Sequence, residues 1–298
     1  MSQDSSAIAA EIARHLLSVQ ALAALGAELR LRQEGLDAHP LLRERLRAAV
    51  RAVHPDLPDG LAPDAAATTL ASIRFALREA TDLLAEPARA PGWRHEDPEL
   101  IQSIGRASRR VVHEIEAAAA ARPALREALR RPGGSFLDVG TGAGWLALAA
   151  ARAWPALRVV GLDIWEPSLA LARANLAAAG PEVAGRIELR QADVAALADR
   201  DAFALAWLPL MFLPAALVPA ALARLRDALA PGGWLVAGRF AAPPGHPPLG
   251  EALVALRTVR SGGHPWTDGE LEALLRDAGF GPAEHLPTAQ VHLTLARR

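Results

Sequence analysis

The chain has 298 residues, with 32 basic and 33 acidic side chains and a formal net charge of -1, so it lacks the positive charge of a general nucleic-acid binder. It contains no cysteine, which excludes disulfides, thiolate metal sites and cysteine nucleophiles. A hydrophobic content of 51% suffices for one large or two smaller cores, and we expect two domains.

Residues 1–121 predict an α-helical auxiliary domain. Apolar residues recur at helical spacing over 7–31 and 40–53, and a third helix begins with Asp64 as N-cap and stops before Pro87. This part has no recognisable catalytic motif. We interpret it as a lid over a substrate, a dimer interface, or both.

No targeting or membrane segment is predicted. The first 17 residues lack the basic start and continuous apolar core of a signal peptide. Residues 202–223 are apolar and long enough to span a bilayer, but Pro209, Pro214 and Pro219 interrupt them. We therefore expect a cytoplasmic protein with no membrane and no nucleic-acid partner.

An irregular linker over 91–98 precedes a helix that opens at Glu99. Its apolar stripe is interrupted by polar residues, among them Gln102 and Arg106. Two interpretations of Arg106 stay open: a solvent-exposed side chain on a linking helix, or a partner for a ligand carboxylate, which Arg binds well in bidentate geometry.

The stretch 136–145, reading FLDVGTGAGW, predicts a buried strand, a tight glycine turn and the start of a helix. Glycine at such a corner permits positive φ and lets a ligand approach the backbone beside the amides of a helix N-terminus. The dinucleotide pattern G-x-G-x-x-G would require glycine where Trp145 stands, and no G-K-[ST] follows to form a P-loop.

Further strands are predicted over 157–162, 187–190, 203–208 and 234–240, alternating with helices. This alternation predicts a parallel sheet with helices on both faces, and a closing hairpin over 283–296 adds one reversed strand. The expected fold is a Rossmann-like, seven-stranded, mostly parallel sheet over 122–298. Asp163 follows the second strand, 23 residues after Gly140, where it can bind ribose hydroxyls or cap the next helix.

The spacing Asp138-x-Gly140-x-Gly142-x-Gly144 resembles the first motif of class I S-adenosylmethionine-dependent methyltransferases, of the small-molecule type with an N-terminal helical domain. The resemblance implies S-adenosylmethionine as cofactor and assigns it nine residues: Asp138, Gly140, Gly142, Gly144, Asp163, Ile164, Asp193, Val194 and Arg106. By the same resemblance Asp163 binds the ribose, Ile164 packs on the adenine, Asp193 and the Val194 amide contact the adenine edge, and Arg106 pairs with the methionyl carboxylate. Asp193 is otherwise an ordinary turn former.

The residues that would bind the methyl acceptor are assigned from fewer motifs. The corner after the fourth strand lacks both the [DN]-P-P-[FYW] tetrad and metal-binding carboxylates, so no metal site is predicted. We assign Trp207, Met211 and Arg239 to the substrate pocket, with core packing as the alternative for the apolar corner. An insertion over about 241–266 would lie above the pocket, and a general base for a hydroxyl acceptor is sought among His246, His264 and His95.

The sequence thus predicts a methyltransferase acting on a small molecule by O- or N-methylation, in specialised metabolism such as natural-product biosynthesis. The alternatives are an NAD-dependent oxidoreductase and a methyltransferase-like binding module without activity. A homodimer through the N-terminal helices is a further expectation.

Overall fold

The computed structural model describes residues 3–93, 95–242, 248–288 and 291–298. The chain divides into two compact units, Met1–Arg89 and Ala90–Arg298. The sequence had suggested a division after residue 121. Residues 90–121 join the second unit because a helix within them buries Val111, Val112 and Ile115 in the core of that unit.

The first unit contains three helices, α1 (Gln3–Gln33), α2 (Pro40–Val53) and α3 (Pro63–Ala85). Its core is formed by five buried side chains: Leu25, Leu29, Val50, Leu70 and Ile73. Gly26 permits close contact between α1 and α3, because a Cβ atom there would lie 3.1 Å from Ile73 Cγ2. Glu28 is fully buried and accepts a hydrogen bond of 3.0 Å from Arg47 Nε.

The first half of α1 has large apolar side chains in solvent. Ile8, Ile12, Leu16 and Leu17 are each more than half exposed. Within the described residues, the segment Ser5–Gln33 is the one helix long and apolar enough to cross a membrane, and 6% of its apolar window is buried.

The second unit begins with α4 (Pro98–Ser108), α5 (Arg110–Ala120) and α6 (Pro123–Arg130). The strands of the sheet then follow, most of them separated by helices: β1 (Ser135–Val139), α7 (Trp145–Ala153), β2 (Arg158–Asp163), α8 (Glu166–Ala179), α9 (Pro181–Ala184), β3 (Ile187–Gln191), β4 (Phe203–Pro209), α10 (Val218–Ala228) and β5 (Leu229–Phe240). The chain ends with α11 (Leu249–Arg260), α12 (Asp268–Asp277), β6 (Glu284–Leu286) and β7 (Val291–Arg297).

The strands form one seven-stranded sheet in the order β3-β2-β1-β4-β5-β7-β6. The first five strands are parallel, and β7 runs antiparallel to both β5 and β6. This confirms the predicted fold class with its single reversed strand. The parallel strands place their carboxyl ends at one edge, where strand order reverses between β1 and β4, and such an edge is where open α/β sheets bind ligands.

Side chains of successive residues in the central strands point to opposite faces of the sheet. Phe136 packs into a core cluster with α5, α6 and α7, whereas Leu137 packs into a second cluster with α10 and α12. The sheet is therefore buried on both faces, as a parallel sheet requires.

Several boundaries differ from the sequence prediction. Asp64 is not the N-cap of the third helix: α3 begins at Pro63 after Ala62, so Asp64 lies in its first turn. The helix predicted from Glu99 onward is divided at Arg109 into α4 and α5. Strand β5 begins at Leu229, because Leu229 already pairs with Phe203, and not at Trp234 after the Pro-Gly-Gly turn.

Candidate functional site

The loop between β1 and α7 is built on glycines with left-handed backbone conformations. Gly140, Gly142 and Gly144 have φ of 65°, 56° and 77°, values that favour glycine. Of the described atoms, a Cβ at Gly142 would meet only the Gly140 carbonyl at 3.9 Å, so the space beside it is open. A Cβ at Gly144 would instead lie 3.1 Å from the Ala172 Cβ, so this glycine permits close packing of α7 on α8.

Asp138 lies beneath this glycine loop and is 1% exposed. Its Oδ2 accepts a hydrogen bond of 2.8 Å from the Thr141 hydroxyl. Burial raises the pKa of Asp138 to about 7, the charge of Asp163 adds to the rise, and bonds from Thr141 and the Ala147 backbone oppose it. Asp138 thus braces the loop from inside the domain.

Asp163, at the end of β2, connects two loops through both carboxylate oxygens. Oδ2 accepts from the Gly142 amide and Oδ1 from the Trp165 amide, each at 2.8 Å. Burial raises the pKa of Asp163, and the bonds from Trp165 and Gly142 oppose that rise. Because a carboxylate has about four acceptor positions, Asp163 can accept from a ligand hydroxyl in addition to the Trp165, Gly142 and Ile164 amides.

Apolar side chains flank Asp163 on its exposed side. Ile164 is 68% exposed and Trp165 37% exposed. The neighbouring corner lies close by, since Asp163 pairs with Gln191 of β3 in the sheet. A flat apolar ligand group at this position would be covered on one side by Ile164 or Trp165.

Asp193 and Val194 occupy that neighbouring corner. The Asp193 side chain accepts from the Ala195 amide at 2.8 Å and caps a short 3₁₀ helix over Val194–Ala196. Val194 is buried. Asp193 is therefore a turn former here, and its predicted bond to an adenine amine stays a prediction.

Helix α4 lies against the glycine loop. Gln102 Oε1 accepts from Trp145 Nε1 at 2.5 Å and from Asn175 Nδ2 at 3.0 Å, and Gln102 Nε2 donates to Asn175 Oδ1 at 3.1 Å. Asn175 also donates to the Ala143 carbonyl of the loop at 2.8 Å. Sequence reasoning did not assign these residues. The polar residue Gln102 within the apolar stripe of α4 could have indicated a specific contact. The sequence does not show which residue it contacts, because Asn175 lies 73 residues away.

Arg106 lies one helical turn after Gln102 and is exposed. Its guanidinium carbon lies 5.9 Å from the centre of the Trp145 ring, and that of Arg109 lies 5.4 Å from it. Both cations are thus held beside the N-terminus of α7 by cation–π contact. The predicted carboxylate role of Arg106 remains untested by this geometry.

The three residues assigned to the substrate pocket have structural partners. Trp207 is 4% exposed and lies across Gly238, where a Cβ would come 2.1 Å from its ring. Met211 is also 4% exposed. Arg239 donates to the Trp266 carbonyl at 2.5 Å and pairs with Asp268 at the start of α12. For Trp207 and Met211, the geometry corresponds to the alternative of core packing.

Half-buried aromatic rings gather near the ends of β4 and β5. Trp93 meets Phe212 edge-to-face with 5.3 Å between ring centres, and Phe212 meets Phe240 at 5.6 Å. His95 contacts Trp93 at 4.9 Å. Arg257 of α11 stacks over Phe240 at 4.0 Å. These contacts hold the linker before α4 and the start of the insertion against one another.

The structure describes two of the three histidines predicted as candidate general bases. His95 belongs to the aromatic group, and His264 lies 4.4 Å from Trp266 between ring centres. His246 falls outside the described residues. Within the described part of the chain, no group of three His, Asp or Glu side chains is arranged to hold a metal ion.

Comparison with known proteins finds a family match for the central segment. Residues 136–233 match the family model described as a methyltransferase domain. A demethylmenaquinone methyltransferase from Thermus thermophilus is 39% identical over 124 residues, covering 41% of this chain and 54% of that protein. The chain spans about half the length of the curated relatives it matches, 54% and 56%.

Solved structures extend the likeness in fold to the whole chain. An O-methyltransferase family protein from Burkholderia thailandensis aligns over 100% of this chain and 98% of its own, with a TM-score of 0.68 and 13% identity. The mitomycin 7-O-methyltransferase MmcR aligns over 100% of both chains with a TM-score of 0.63 and 20% identity. At such identities the likeness establishes the fold.

Proposed function

We propose that this chain, whose residues 136–233 form a methyltransferase domain, is an S-adenosylmethionine-dependent methyltransferase with a small-molecule acceptor. The observation that carries the proposal is the position of Asp163. Its carboxylate holds the Gly142 amide on one side and the Trp165 amide on the other. Asp163 therefore joins the glycine loop to the exposed apolar residues Ile164 and Trp165. It does so within the segment that matches the methyltransferase family model.

The residues present fit this cofactor. The open space beside Gly142 accepts a ligand close to the backbone. Asp163 retains acceptor capacity for a ribose hydroxyl, and Ile164 and Trp165 offer exposed apolar surface for a nucleobase. Bound there, S-adenosylmethionine supplies an electrophilic methyl group for in-line displacement. The contribution of the chain is to bind and orient both reactants, so no nucleophilic side chain is needed.

The acceptor is a small molecule methylated on oxygen or nitrogen, in specialised metabolism. The apolar corner at the ends of β4 and β5 and the rings of Trp93, Phe212 and Phe240 favour an apolar acceptor surface. The whole-length fold likeness to a mitomycin 7-O-methyltransferase agrees with this class. His95 and His264, each beside a tryptophan near this corner, are the described candidates for accepting an acceptor proton.

A homodimer is the proposed assembly. The apolar side chains exposed on the first half of α1 support it, because a continuous apolar face of this kind is normally covered in a stable protein. We further propose that the protein acts in the cytoplasm without a nucleic-acid partner, in keeping with its net charge of -1.

The function is tested by turnover. The purified chain is incubated with methyl-labelled S-adenosylmethionine and fractionated small-molecule extracts, and labelled products are separated by chromatography. We expect label in at least one small-molecule fraction, and its loss in Asp163→Ala. Tight S-adenosylhomocysteine binding without labelled product in any fraction would instead indicate a binding module.

A further inference from the structure

The contact between α4 and the glycine loop is built from matched side-chain amides. Gln102 and Asn175 bond reciprocally, each donating to the other's oxygen, at 3.1 and 3.0 Å. Gln102 Oε1 also accepts the indole N–H of Trp145, the first residue of α7. All three side chains are half-buried. In such surroundings an amide that loses its partner is left poorly solvated, so the arrangement favours one position of α4.

This contact extends into the loop itself. Asn175 donates its other N–H to the carbonyl of Ala143, which stands between the left-handed glycines 142 and 144. Asp163 accepts from the Gly142 amide on the other side of the same segment. The loop is thus held at two consecutive residues, by β2 through Asp163 and by α4 and α8 through Asn175.

Gly105 allows α4 to approach this closely. A Cβ atom there would lie 2.8 Å from Trp145 Cδ1 and 3.4 Å from the Ala143 Cβ, and the first separation is below any normal contact distance. Any larger residue would therefore displace α4 from the loop. Glycine in the middle of a helix costs roughly 0.5–1 kcal/mol relative to alanine, so close approach is a specific reason for its presence.

We propose that Gln102, Gly105 and Asn175 form an α4 clamp that fixes the glycine loop in its ligand-binding conformation. They are positioning residues for S-adenosylmethionine, acting through Ala143 and Trp145 without touching the ligand. The inference rests on the proposed function for the identity of the ligand. The clamp also sets Arg106, one turn further along α4, beside the Trp145 ring.

The first test is S-adenosylhomocysteine titration of the full chain by calorimetry. Asn175→Ala removes the bonds to Gln102 and Ala143. We expect the dissociation constant of this variant for S-adenosylhomocysteine to rise by about tenfold. The matched control is Arg173→Ala on the same helix, which removes a half-exposed ion pair with Glu166 and should leave affinity within about twofold. Binding is measured well below the thermal midpoint of each variant, so a loss of stability alone does not change it.

The second variant removes no hydrogen-bonding group of the clamp. Gly105→Ala should raise helix propensity and yet raise the dissociation constant by about fivefold, because the added methyl group lifts α4. Gly269→Ala in α12 is its control, since a Cβ there meets none of the described atoms within 4 Å. Hydrogen exchange of the amides of residues 142–146 without ligand should quicken in both Asn175→Ala and Gly105→Ala.

The outcomes separate the clamp from the function. Wild-type binding with unchanged affinity in both Asn175→Ala and Gly105→Ala overturns the clamp and leaves the proposed function standing. A wild-type chain that does not bind S-adenosylhomocysteine overturns the function, and exchange at residues 142–146 then decides the clamp. In that case, unchanged hydrogen exchange in both variants would overturn the clamp.

Discussion

Asp138 and Asp163 are neighbouring carboxylates that support the same loop, but they differ in their hydrogen-bond partners. Asp138 is sealed beneath the loop with the Thr141 hydroxyl, whereas both oxygens of Asp163 accept backbone amides. Burial raises the pKa of both carboxyl groups, to about 7 for Asp138, and the backbone amides bound by Asp163 oppose the rise there. The protonation of Asp138 therefore changes near neutral pH.

Asp138 should make stability fall as pH rises from about 4 to about 7. Its pKa is raised from 3.8 to about 7 in the folded protein, so over this range the folded state binds a proton that the unfolded state has released. The stabilisation is full below 3.8 and lost as pH approaches 7, with a slope of at most about 1.4 kcal/mol per pH unit. Asp138→Asn keeps an acceptor for Thr141 and should remove this component, as urea unfolding at several pH values would measure.

The free energy of unfolding of Asp138→Asn minus that of wild type should therefore grow between pH 4 and 7 and level off above 7. A difference that is constant across this range would show that the Asp138 pKa is not raised.

Gly238→Ala should destabilise the domain by about 1–3 kcal/mol, the usual cost of overpacking. A Cβ at this position would come 2.1 Å from the Trp207 ring, and that ring is packed in the core, where Trp207 is 4% exposed. Denaturant unfolding measures the change, with Gly269→Ala as the control. Equal stability of Gly238→Ala and wild type would mean that Trp207 does not occupy this position.

At the scale of elements, Arg239 fixes the base of the insertion that follows β5. Arg239 is the second-last residue of β5, and it binds the Trp266 carbonyl and Asp268 where the chain returns to α12. Burial raises the pKa of Asp268, but the bond and charge of Arg239 outweigh it, so that pKa lies below its usual value. Arg239 thus joins the two ends of the insertion.

Arg239→Met keeps the aliphatic stem and removes the guanidinium. We expect a loss of about 1 kcal/mol, at the low end for bonds to charged groups because Asp268 is largely exposed, and faster hydrogen exchange over residues 264–268. Arg276→Met, which removes an exposed arginine near Asp277, is the control. Unchanged exchange in Arg239→Met would assign the arginine to another task, such as the acceptor binding predicted from the sequence.

The elements were more predictable than the contacts between them. Strands β1 to β4 and the glycine turn follow from apolar runs and from glycines that need positive φ, which are local properties. The Gln102–Asn175 and Arg239–Asp268 contacts join residues 73 and 29 apart, and periodicity within one helix cannot specify a partner on another. A hydrophobic strand end suits both a pocket and a core, so the sequence alone leaves both open for Trp207. Its contact with Gly238 on the next strand corresponds to core packing, and the pocket role stays a prediction.

At the scale of the whole molecule, the exposed apolar face of α1 predicts self-association. Ile12 and Leu16 are 56% and 60% exposed and lie four residues apart on one side of the helix. Light scattering of the eluting protein should give a dimer for wild type and a monomer for the double variant Ile12→Glu, Leu16→Glu. Ser18→Glu, on a different side of α1, is the control and should remain dimeric.

A monomeric wild-type chain at micromolar concentration would contradict this prediction. Sedimentation of the wild type with lipid vesicles, abolished by the same double variant, would assign the apolar face of α1 to a membrane instead.

The central claim is that the β1–α7 loop and Asp163 bind S-adenosylmethionine, and calorimetric titration of the full chain with S-adenosylhomocysteine tests it most directly. We predict one binding site, a dissociation constant raised at least about tenfold in Asp163→Ala, equivalent to about 1.4 kcal/mol, and no heat of binding with NAD. Binding of NAD without binding of S-adenosylhomocysteine would contradict the account and restore the oxidoreductase alternative.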